Sequence, residues 1–401
     1  MMTSKEYMEL EKKYGAHNYH PIPVVISKAQ GIWVEDPEGK KYIDMLSAYS
    51  AHNQGHRHPK IIKAAHAQLD ILTLTSRAFY NDKLGIFLKK VCEAAGMTMA
   101  LPMNTGAEAV ETAIKTARKW GYKVKKVAKD KAEIIVFADN FHGRTTTIVG
   151  FSTDPMAYEN YGPFTPNFKI VKYGDLKEVE GAINPNTVAI LVEPIQGEAG
   201  IKIPPAGFMK GLRELATKNN VLLIADEIQT GLGRTGKLFC CDWDGVKPDM
   251  FTLGKALGGG IFPVSAVVAD EKILGVFEPG THGSTFGGNP LAAVIGIASL
   301  EVIIEEKLAD NAREVGDYFQ QKLKDMNSPF IKEVRGKGLL IGVEIKADSP
   351  KNALDICHDM VTAGILAKPT HDTIIRFAPP LVITKNDIDY VIEKIRPVFT
   401  R

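Results

Sequence analysis

The chain has 401 residues, of which 45% are hydrophobic and 24% are charged, and this composition is typical of a folded globular protein. Its formal net charge is only +2, so the overall charge gives no support for a nucleic acid or a membrane surface as a partner. A chain of this length predicts one large domain with one or two smaller ones.

The N-terminal segment and the cysteines indicate where the protein works. The segment MMTSKEYMELEKKYGAHNYHP is charged throughout and lacks the apolar core of a signal peptide. No apolar run approaches the roughly 20 residues that span a bilayer. The four cysteines include no C-x-x-C pair and indicate neither a zinc site nor a disulfide framework. We therefore expect a soluble cytoplasmic protein that binds no metal, membrane or nucleic acid.

Three segments are expected along the chain. Residues 1–45 form an N-terminal arm with a small hairpin around Asp36–Gly39, residues 46–289 form a large α/β domain, and residues 290–401 form a smaller α+β domain. In the large domain, helical patterns alternate with apolar runs that predict strands at 132–139, 187–194, 221–227, 249–254 and 264–270. Several runs are continuously apolar, as in strands buried on both faces. The alternation predicts a mostly parallel sheet with helices on both faces.

Two of the predicted strands end in charged residues. The run VLLIADE ends at Asp226 and Glu227, and the run DMFTLGK ends at Lys255. Ligands bind beyond the carboxyl ends of parallel strands, so Asp226 and Lys255 can serve one cofactor. The Gly-Lys pair does not form a nucleotide phosphate loop, because Ala256 follows the lysine and the glycines come afterwards.

A lysine at the end of a buried strand is either structural or catalytic. A buried lysine without a task costs on the order of several kcal/mol in desolvation. The same desolvation lowers its pKa from about 10.4 and makes the neutral amine available for a Schiff base. A Schiff-base lysine with a strand-end aspartate, which keeps a pyridine nitrogen protonated, predicts pyridoxal 5'-phosphate as the cofactor.

The phosphate of this cofactor requires hydrogen-bond donors. Asn104–Ala107 turns directly into a helical pattern, and the N–H groups and dipole at a helix start favour an anion, although an ordinary capped helix has the same pattern. Ser284 and Thr285 supply hydroxyls in a Gly-rich loop, and Phe141 follows a predicted strand where it can stack on a ring. Each signal is weak alone, and together they fit one cofactor.

The sequence resembles the class III aminotransferases of fold type I along essentially its whole length. The motifs that carry the resemblance include PMNTGAEAVETA, FHGRT, VEPIQGEAG, LIADEIQTGLGRTG, LGKALGGG, HGSTFGGNP and AKPTHDTIIRFAPPL. The resemblance implies transfer of the terminal amino group of L-ornithine to 2-oxoglutarate, which gives glutamate-5-semialdehyde (the source of pyrroline-5-carboxylate) and L-glutamate. It also implies a homodimer with shared active sites.

The resemblance also assigns roles at the cofactor. It implies that Lys255 forms the Schiff base and moves the proton, and that Asp226 pairs with the pyridine nitrogen. The further cofactor contacts that it implies are the backbones of Gly106 and Ala107 at the phosphate, Phe141 and His142 beside the ring, Glu193 and Gln229 near its 3-hydroxyl, and Ser284 and Thr285 at the phosphate of the neighbouring subunit.

Five residues are implied at the substrate. Arg376 would bind the carboxylate beside the reacting carbon of glutamate, and Glu198 would pair with Arg376 while ornithine is bound. Arg144 would take the distal carboxylate of either substrate, and Tyr19 and Tyr49 would meet the α-amino-acid end of ornithine. Without the resemblance, a fixed surface ion pair is the better interpretation of Glu198 and Arg376.

Two alternatives to this activity remain open. A member of the same class could act on N-acetylornithine or on 4-aminobutyrate, and the resemblance suggests an apolar residue in place of Tyr49 for the latter. A non-catalytic protein could keep the fold and only bind the cofactor. The presence of both Lys255 and Asp226 argues against this second alternative, because a protein without catalytic activity has little reason to keep both residues.

Overall fold

The computed structural model describes residues 2–400. Its strands, numbered in chain order, are β1 Lys28–Gln30, β2 Trp33–Glu35, β3 Lys41–Asp44, β4 Met99–Met103, β5 Glu133–Phe137, β6 Phe168–Val171, β7 Thr187–Val192, β8 Leu222–Asp226, β9 Met250–Leu253, β10 Ser265–Ala269, β11 Ile331–Lys337, β12 Leu340–Ile345, β13 Ile365–Leu366, β14 Lys368–Thr370 and β15 Ile374–Phe377.

The helices fall into long and short groups. The long α-helices are Ser4–Tyr14, Pro59–Leu69, Leu84–Ala95, Gly106–Trp120, Phe208–Lys218, Pro290–Glu305, Leu308–Asp325, Ala353–Thr362 and Lys385–Ile395. The short segments are Thr146–Val149, Pro155–Tyr158, Leu176–Ala182 and Glu271–Leu274, the 3₁₀ turns Cys240–Trp243, Lys255–Gly258 and Arg396–Phe399, and the π-helical turn Gly121–Lys125. Within residues 2–400, none of them has the length and apolar character needed to cross a bilayer.

A seven-stranded sheet forms the centre of the molecule, with the strand order β4-β10-β9-β8-β7-β5-β6. The strands from β5 to β9 pair in parallel, and β10 runs antiparallel to both β4 and β9. Every residue of β7, β8 and β10 is buried, since helices cover both faces of the sheet. The prediction of an α/β fold with a mostly parallel sheet is confirmed. The carboxyl ends of β5, β7, β8 and β9 therefore meet along one edge.

Two strands of this sheet were not predicted, and both lie at its edges. β4 contains Pro102, which lacks an N–H donor and which edge strands tolerate. β6 is only partly buried and lacks a continuous apolar run. The five predicted strands are all present as β5, β7, β8, β9 and β10. Interior strands were thus easier to predict than edge strands, because burial on both faces demands an unbroken apolar run.

Two four-stranded sheets flank the central one, with the orders β1-β2-β3-β13 and β11-β12-β15-β14. The β2–β3 hairpin closes at Asp36–Gly39, where the Gly39 N–H donates to the Asp36 carbonyl at 3.1 Å. β13 pairs in parallel with β3, so the N-terminal segment and the C-terminal part of the chain share a sheet. The division at residues 45 and 289 stays a prediction.

Candidate active site

Lys255 directly follows β9 at the edge where the parallel strands end. Its φ is +44°, a left-handed conformation that costs a lysine of order 1 kcal/mol. Burial lowers the pKa of Lys255, although the nearby carboxylates of Glu198 and Asp226 act in the opposite direction. Burial therefore favours the neutral form of an amine that the backbone holds in a fixed position.

Asp226 ends β8, next to β9 in the sheet, and only 4% of the residue is exposed. One carboxylate oxygen, Oδ1, accepts hydrogen bonds from Thr252 Oγ1 at 3.0 Å and from the Ile228 N–H at 3.1 Å. The other, Oδ2, lies 2.6 Å from His142 Nδ1. Burial lowers the pKa of His142, but the hydrogen bond and charge of Asp226 outweigh it and leave that pKa above its ordinary value.

Glu193 lies in the loop after β7 and is also buried. Its Oε1 accepts the Phe141 N–H at 2.8 Å, which fixes the loop that carries Phe141 and His142. Burial raises the pKa of Glu193 to about 7, with the charge of His142 opposing the shift. This carboxyl group is therefore half protonated near neutral pH.

The helix Gly106–Trp120 points its first turn at the same edge of the sheet. Thr105 caps it, and the Glu108 carboxylate accepts the N–H groups of Asn104 and Thr105 at 3.0 and 2.7 Å. The N–H groups of Gly106 and Ala107 have no acceptor within residues 2–400. A side chain at position 106 would press on Ile228, with a contact of 3.1 Å at the Cβ alone, so glycine keeps this turn open. Two free donors at a helix start form an anion site.

A cavity of about 210 Å³ unites these groups. It is lined by Gly106, Ala107, Phe141, His142, Gly143, Glu193, Asp226, Ile228, Gln229, Thr230 and Lys255. A buried amine, a buried carboxylate, an aromatic ring and an anion site at a helix start thus share one space. This donor set fits pyridoxal phosphate, because each feature of that cofactor (aldehyde, pyridine nitrogen, ring face and phosphate) has a matching group.

The predicted pair of Glu198 and Arg376 is present, with Glu198 Oε1 2.6 Å from Arg376 Nη1. Arg376 is 1% exposed and its Nε has no partner within the described residues. Burial raises the pKa of Glu198, but the charge and hydrogen bond of Arg376 outweigh burial and lower it overall. Gln229 Nε2 donates to the same Glu198 oxygen at 3.2 Å. This close approach requires Gly197, where a Cβ would overlap the Gln229 amide.

A second cavity of about 860 Å³ adjoins the first and shares Phe141, His142 and Gly143 with it. Its wall includes Glu198 and the exposed Arg144, whose guanidinium lies 5.7 Å from the centre of the Phe141 ring. Arg144 has no carboxylate within ion-pair distance in the part of the chain that the structure describes. A substrate carboxylate could therefore reach it.

Tyr49 lies on an unusual backbone turn that the sequence did not reveal. Ser47, Ala48, Tyr49 and Ser50 have φ values of 46°, 46°, 59° and 75°, one left-handed turn without glycine. Buried polar contacts hold it, since Arg234 Nη2 and the Ser47 hydroxyl are 3.0 Å apart and Ser47 Oγ donates to the Ala378 carbonyl at 2.6 Å. The turn brings the Tyr49 ring to 4.8 Å from the Arg376 guanidinium.

Tyr19 reaches the same region from the N-terminal segment and is 67% exposed. The ammonium group of Lys368 connects the two tyrosines, at 5.9 Å from the Tyr19 ring and 5.7 Å from the Tyr49 ring. The structure thus places Tyr19, Tyr49 and Arg376 in one region and adds Lys368, while the roles of these residues at the substrate stay predictions. The signal for Lys368 was its motif AKPTHDTIIRF, which places it eight positions before Arg376 on what becomes the neighbouring strand.

Ser284 and Thr285 lie in the loop before the helix Pro290–Glu305. Asn104 Nδ2 donates to Ser284 Oγ at 2.9 Å, so Ser284 sits beside the anion site of its own chain. Thr285 and Phe286 are exposed. No part of residues 2–400 covers these two side chains, and their role at a neighbouring subunit stays a prediction.

Comparison with known proteins identifies the family. A family model described as "Aminotransferase class-III" matches residues 14–399. The ornithine aminotransferase of Macrococcus caseolyticus is 58% identical over 401 residues, which cover 100% of both chains.

Solved structures of aminotransferases are also similar to this chain. An ornithine aminotransferase from Toxoplasma gondii, solved with partial occupancy of PLP at its active site, has a TM-score of 0.97 and 45% identity over 99% of this chain and 94% of its own. An acetylornithine aminotransferase from Elizabethkingia anophelis has a TM-score of 0.91 and 47% identity over 100% and 99%. The buried lysine and aspartate, the anion site and these likenesses together show that the chain belongs to the class III aminotransferases and is a pyridoxal phosphate-dependent enzyme.

Proposed function

We propose that this aminotransferase moves the terminal amino group of L-ornithine to 2-oxoglutarate. The observation that carries the proposal is the buried Arg376, neutralised by Glu198 at 2.6 Å and covered by the Tyr49 ring at 4.8 Å. A free arginine would demand a substrate carboxylate beside the reacting carbon. A neutralised arginine also accepts a substrate such as ornithine, whose reacting carbon carries no carboxylate.

The cofactor site is proposed residue by residue. Gly106 and Ala107 would hold the phosphate through their N–H groups. The exposed Thr285 would add its hydroxyl to the phosphate of the neighbouring subunit, and Ser284, proposed for the same role, would have to leave Asn104 of its own chain to join it. The further contacts proposed for the ring are Phe141 and His142 at its face, Glu193 and Gln229 near its 3-hydroxyl, and Asp226 at its nitrogen. When bound, the protonated ring supplies an electron sink for the carbanion at the reacting carbon.

Lys255 and Asp226 are proposed to do the catalytic work. The lowered pKa of Lys255 makes its neutral form accessible, and the neutral amine can accept a proton from the reacting carbon of the substrate. Asp226, held by Thr252 and paired with His142, would accept a hydrogen bond from a protonated pyridine nitrogen. Both groups are fixed by backbone elements, so no large movement is needed to bring them together.

Glu198 is proposed to switch the site between its two substrates. While ornithine is bound, Glu198 remains on Arg376 and no cation is left unpaired. When glutamate or 2-oxoglutarate binds, its α-carboxylate takes the place of Glu198 on Arg376, and Arg144 takes the distal carboxylate. Glu198 has room to move, because 31% of its side chain is exposed to the adjoining 860 Å³ cavity.

Tyr19 and Tyr49 are proposed to select ornithine among terminal amines. Their rings lie 5.9 and 5.7 Å from the Lys368 ammonium group, and the Tyr49 ring also lies 4.8 Å from the Arg376 guanidinium. Their hydroxyls can hydrogen-bond an α-amino group, which 4-aminobutyrate lacks. The 47% identity to an acetylornithine aminotransferase makes N-acetylornithine the second candidate substrate.

An isotope experiment tests the proposed reaction. The purified enzyme is given 2-oxoglutarate and ornithine labelled with ¹⁵N at either the δ or the α position, and the glutamate formed is analysed by mass spectrometry. The proposal predicts label in glutamate from the δ position only. Label from the α position, or a faster reaction with N-acetylornithine than with ornithine, would contradict it.

A homodimer with shared active sites is also proposed. Large apolar side chains are exposed in the segment around residues 71–80 and beside Thr285; they include Tyr80, which is fully exposed, Ile71 at 74%, Phe79 at 73% and Phe286 at 51%. A second copy of the chain would cover them and bring Thr285 to the other phosphate. Sedimentation equilibrium tests the dimer, and a monomer at micromolar concentration would contradict it.

Mixed dimers test whether the sites are shared. Lys255→Ala chains are inactive by design, and Thr285→Glu places a negative charge against the phosphate. If Thr285 serves the neighbouring subunit, a mixed dimer contains one site with both changes and one fully intact site, so mixing restores cofactor affinity and activity. If Thr285 serves its own subunit, mixing restores neither.

A cytoplasmic location stays a prediction. It is supported by the cysteines, since Cys92, Cys240, Cys241 and Cys357 are all buried free thiols. Fractionation of cells that produce the protein, with activity measured in each fraction, tests it.

A further inference from the structure

Lys368 lies beside the proposed substrate residues but has no role in the reaction proposed so far. It lies on β14, and in the antiparallel pairing with β15 it is directly opposite Arg376. Directly opposed residues of an antiparallel pair project from the same face of the sheet, with Cβ atoms about 4.5–5.5 Å apart. Both side chains accordingly meet the Tyr49 ring, Arg376 at 4.8 Å and Lys368 at 5.7 Å.

Of these two cations, only Arg376 is paired with a carboxylate within residues 2–400. Glu198 pairs with Arg376 at 2.6 Å, whereas Lys368 has no hydrogen-bond or ion-pair partner within residues 2–400. Like charges directly opposite each other on a sheet are destabilising. Lys368 is also half-buried rather than extended into solvent, between the Tyr19 and Tyr49 rings. The cluster therefore retains one uncompensated positive charge, which lies beside the Tyr49 ring that also covers Arg376.

We propose that Lys368 binds the α-carboxylate of ornithine and adds a second cation to the one that Arg144 supplies. The inference rests on the proposed function and deepens it by naming a residue that binds the end of ornithine opposite the reacting amine. Lys368 would form a charged hydrogen bond with one carboxylate oxygen, with the rings of Tyr19 and Tyr49 on either side.

The length of the substrate supports this placement. Arg376 marks the position of a carboxylate attached to the reacting carbon, as in glutamate. In ornithine the carboxyl carbon is four carbon–carbon bonds from the reacting carbon, or about 5 Å when extended. Lys368 is paired with Arg376 on the neighbouring strand, where the Cβ atoms of directly opposed residues lie about 4.5–5.5 Å apart. A carboxylate bound further from the reacting carbon than the one that Arg376 binds is therefore within reach of the Lys368 side chain.

Substrates that lack one group test the proposal. The reductive half-reaction of cofactor-loaded enzyme is titrated with ornithine, with 5-aminopentanoate, which keeps the carboxylate but lacks the α-amino group, and with 1,4-diaminobutane, which lacks the carboxylate. The same titrations are made with Lys368→Met. Where an amine gives no spectral change, its inhibition of the ornithine reaction gives the dissociation constant instead.

The expected result is a loss confined to the compounds with a carboxylate. Lys368→Met should weaken ornithine and 5-aminopentanoate about 10- to 100-fold more than it weakens 1,4-diaminobutane, as expected for one charged hydrogen bond. Lys385→Met is the matched control, because Lys385 also lies over a tyrosine ring, Tyr318 at 5.8 Å, but is exposed and begins the helix Lys385–Ile395. The dissociation constants of all three compounds for Lys385→Met should equal those for the wild type.

Two outcomes would overturn the assignment of Lys368. An equal loss for all three compounds would mean that Lys368 only supports the tyrosines, and a loss for ornithine but not for 5-aminopentanoate would mean that it acts on the α-amino group. Failure of the proposed function gives a different result, because in that case ornithine causes no spectral change in the cofactor of the wild-type enzyme.

Discussion

Replacing Glu198 with alanine is the sharpest test of the switch between the two substrates. In the wild type, Glu198 Oε1 lies 2.6 Å from Arg376 Nη1, and Arg376 is 1% exposed. The α-carboxylate of glutamate must displace Glu198 before it can bind Arg376. In Glu198→Ala that competitor is absent, so glutamate should bind more tightly. Ornithine should bind less tightly, because it would bury Arg376 unpaired.

The size of the effect follows from the contact that is removed. A hydrogen bond between charged groups contributes about 1.5–3 kcal/mol, which corresponds to about a 10- to 100-fold change in an equilibrium constant. Glu198 is partly exposed, so the lower part of this range is the more appropriate. We therefore expect kcat/KM for ornithine relative to that for glutamate to fall by at least about 10-fold.

The assay follows each half-reaction separately, by the loss of cofactor absorbance after rapid mixing with ornithine alone or glutamate alone. Glu198→Gln keeps the size of the side chain and removes its charge, so it should shift the preference in the same direction. Glu305→Ala is the control, because it removes an exposed carboxylate that lies 2.8 Å from Lys60. Equal changes for the two substrates in Glu198→Ala, or weaker binding of glutamate, would refute the switch.

Three further predictions concern Tyr49, Lys255 and Glu193. Tyr49→Ile should weaken ornithine and improve 4-aminobutyrate, because it removes the hydroxyl that meets the α-amino group; the ratio of the two kcat/KM values measures this. Lys255→Ala should abolish turnover while cofactor still binds at the helix start, as equilibrium dialysis can show. Burial raises the pKa of Glu193 from 4.5 to about 7. Between pH 4.5 and about 7, Glu193 therefore keeps its proton in the folded protein and has lost it in the unfolded chain. The free energy of unfolding of cofactor-free wild type should therefore fall relative to Glu193→Gln as the pH rises from about 4.5 to about 7, by about 3 kcal/mol in total.

Each of these has a result that contradicts it. An unchanged substrate ratio in Tyr49→Ile would remove the tyrosine from the specificity argument. Turnover of Lys255→Ala at the wild-type rate would remove the lysine from catalysis. For Glu193, the thermal midpoints of wild type and Glu193→Gln are compared from pH 5 to pH 8, and parallel curves would show that Glu193 does not titrate in that range.

The sequence alone predicts the centre of the fold and the catalytic pair. β7, β8 and β9 are buried throughout and mostly apolar because helices cover both faces of the sheet, and that pattern is local. Asp226 and Lys255 are recognisable because each is a charged residue at the end of such a strand. The helix start at Gly106 is visible too, since Thr105 and Glu108 form a capping box.

The substrate side of the site depends on contacts that no local pattern encodes. Glu198 and Arg376 are 178 positions apart, and only the family resemblance joined them. Lys368 acquires its position from the register between β14 and β15, and Tyr49 from a left-handed turn that is held by the distant Arg234. Register and buried hydrogen bonds arise only when the elements pack, so these features could not be read from spacing.

The central claim is that Lys255 holds pyridoxal phosphate in a site built for ornithine, and the visible absorption spectrum tests it most directly. The spectrum of the purified enzyme is recorded before and after L-ornithine is added without any keto acid. The account predicts a yellow band that bleaches with ornithine and much less with N-acetylornithine or 4-aminobutyrate. A cofactor-loaded enzyme without the yellow band would contradict the role of Lys255, and a band that bleaches with another amine but not with ornithine would contradict the substrate.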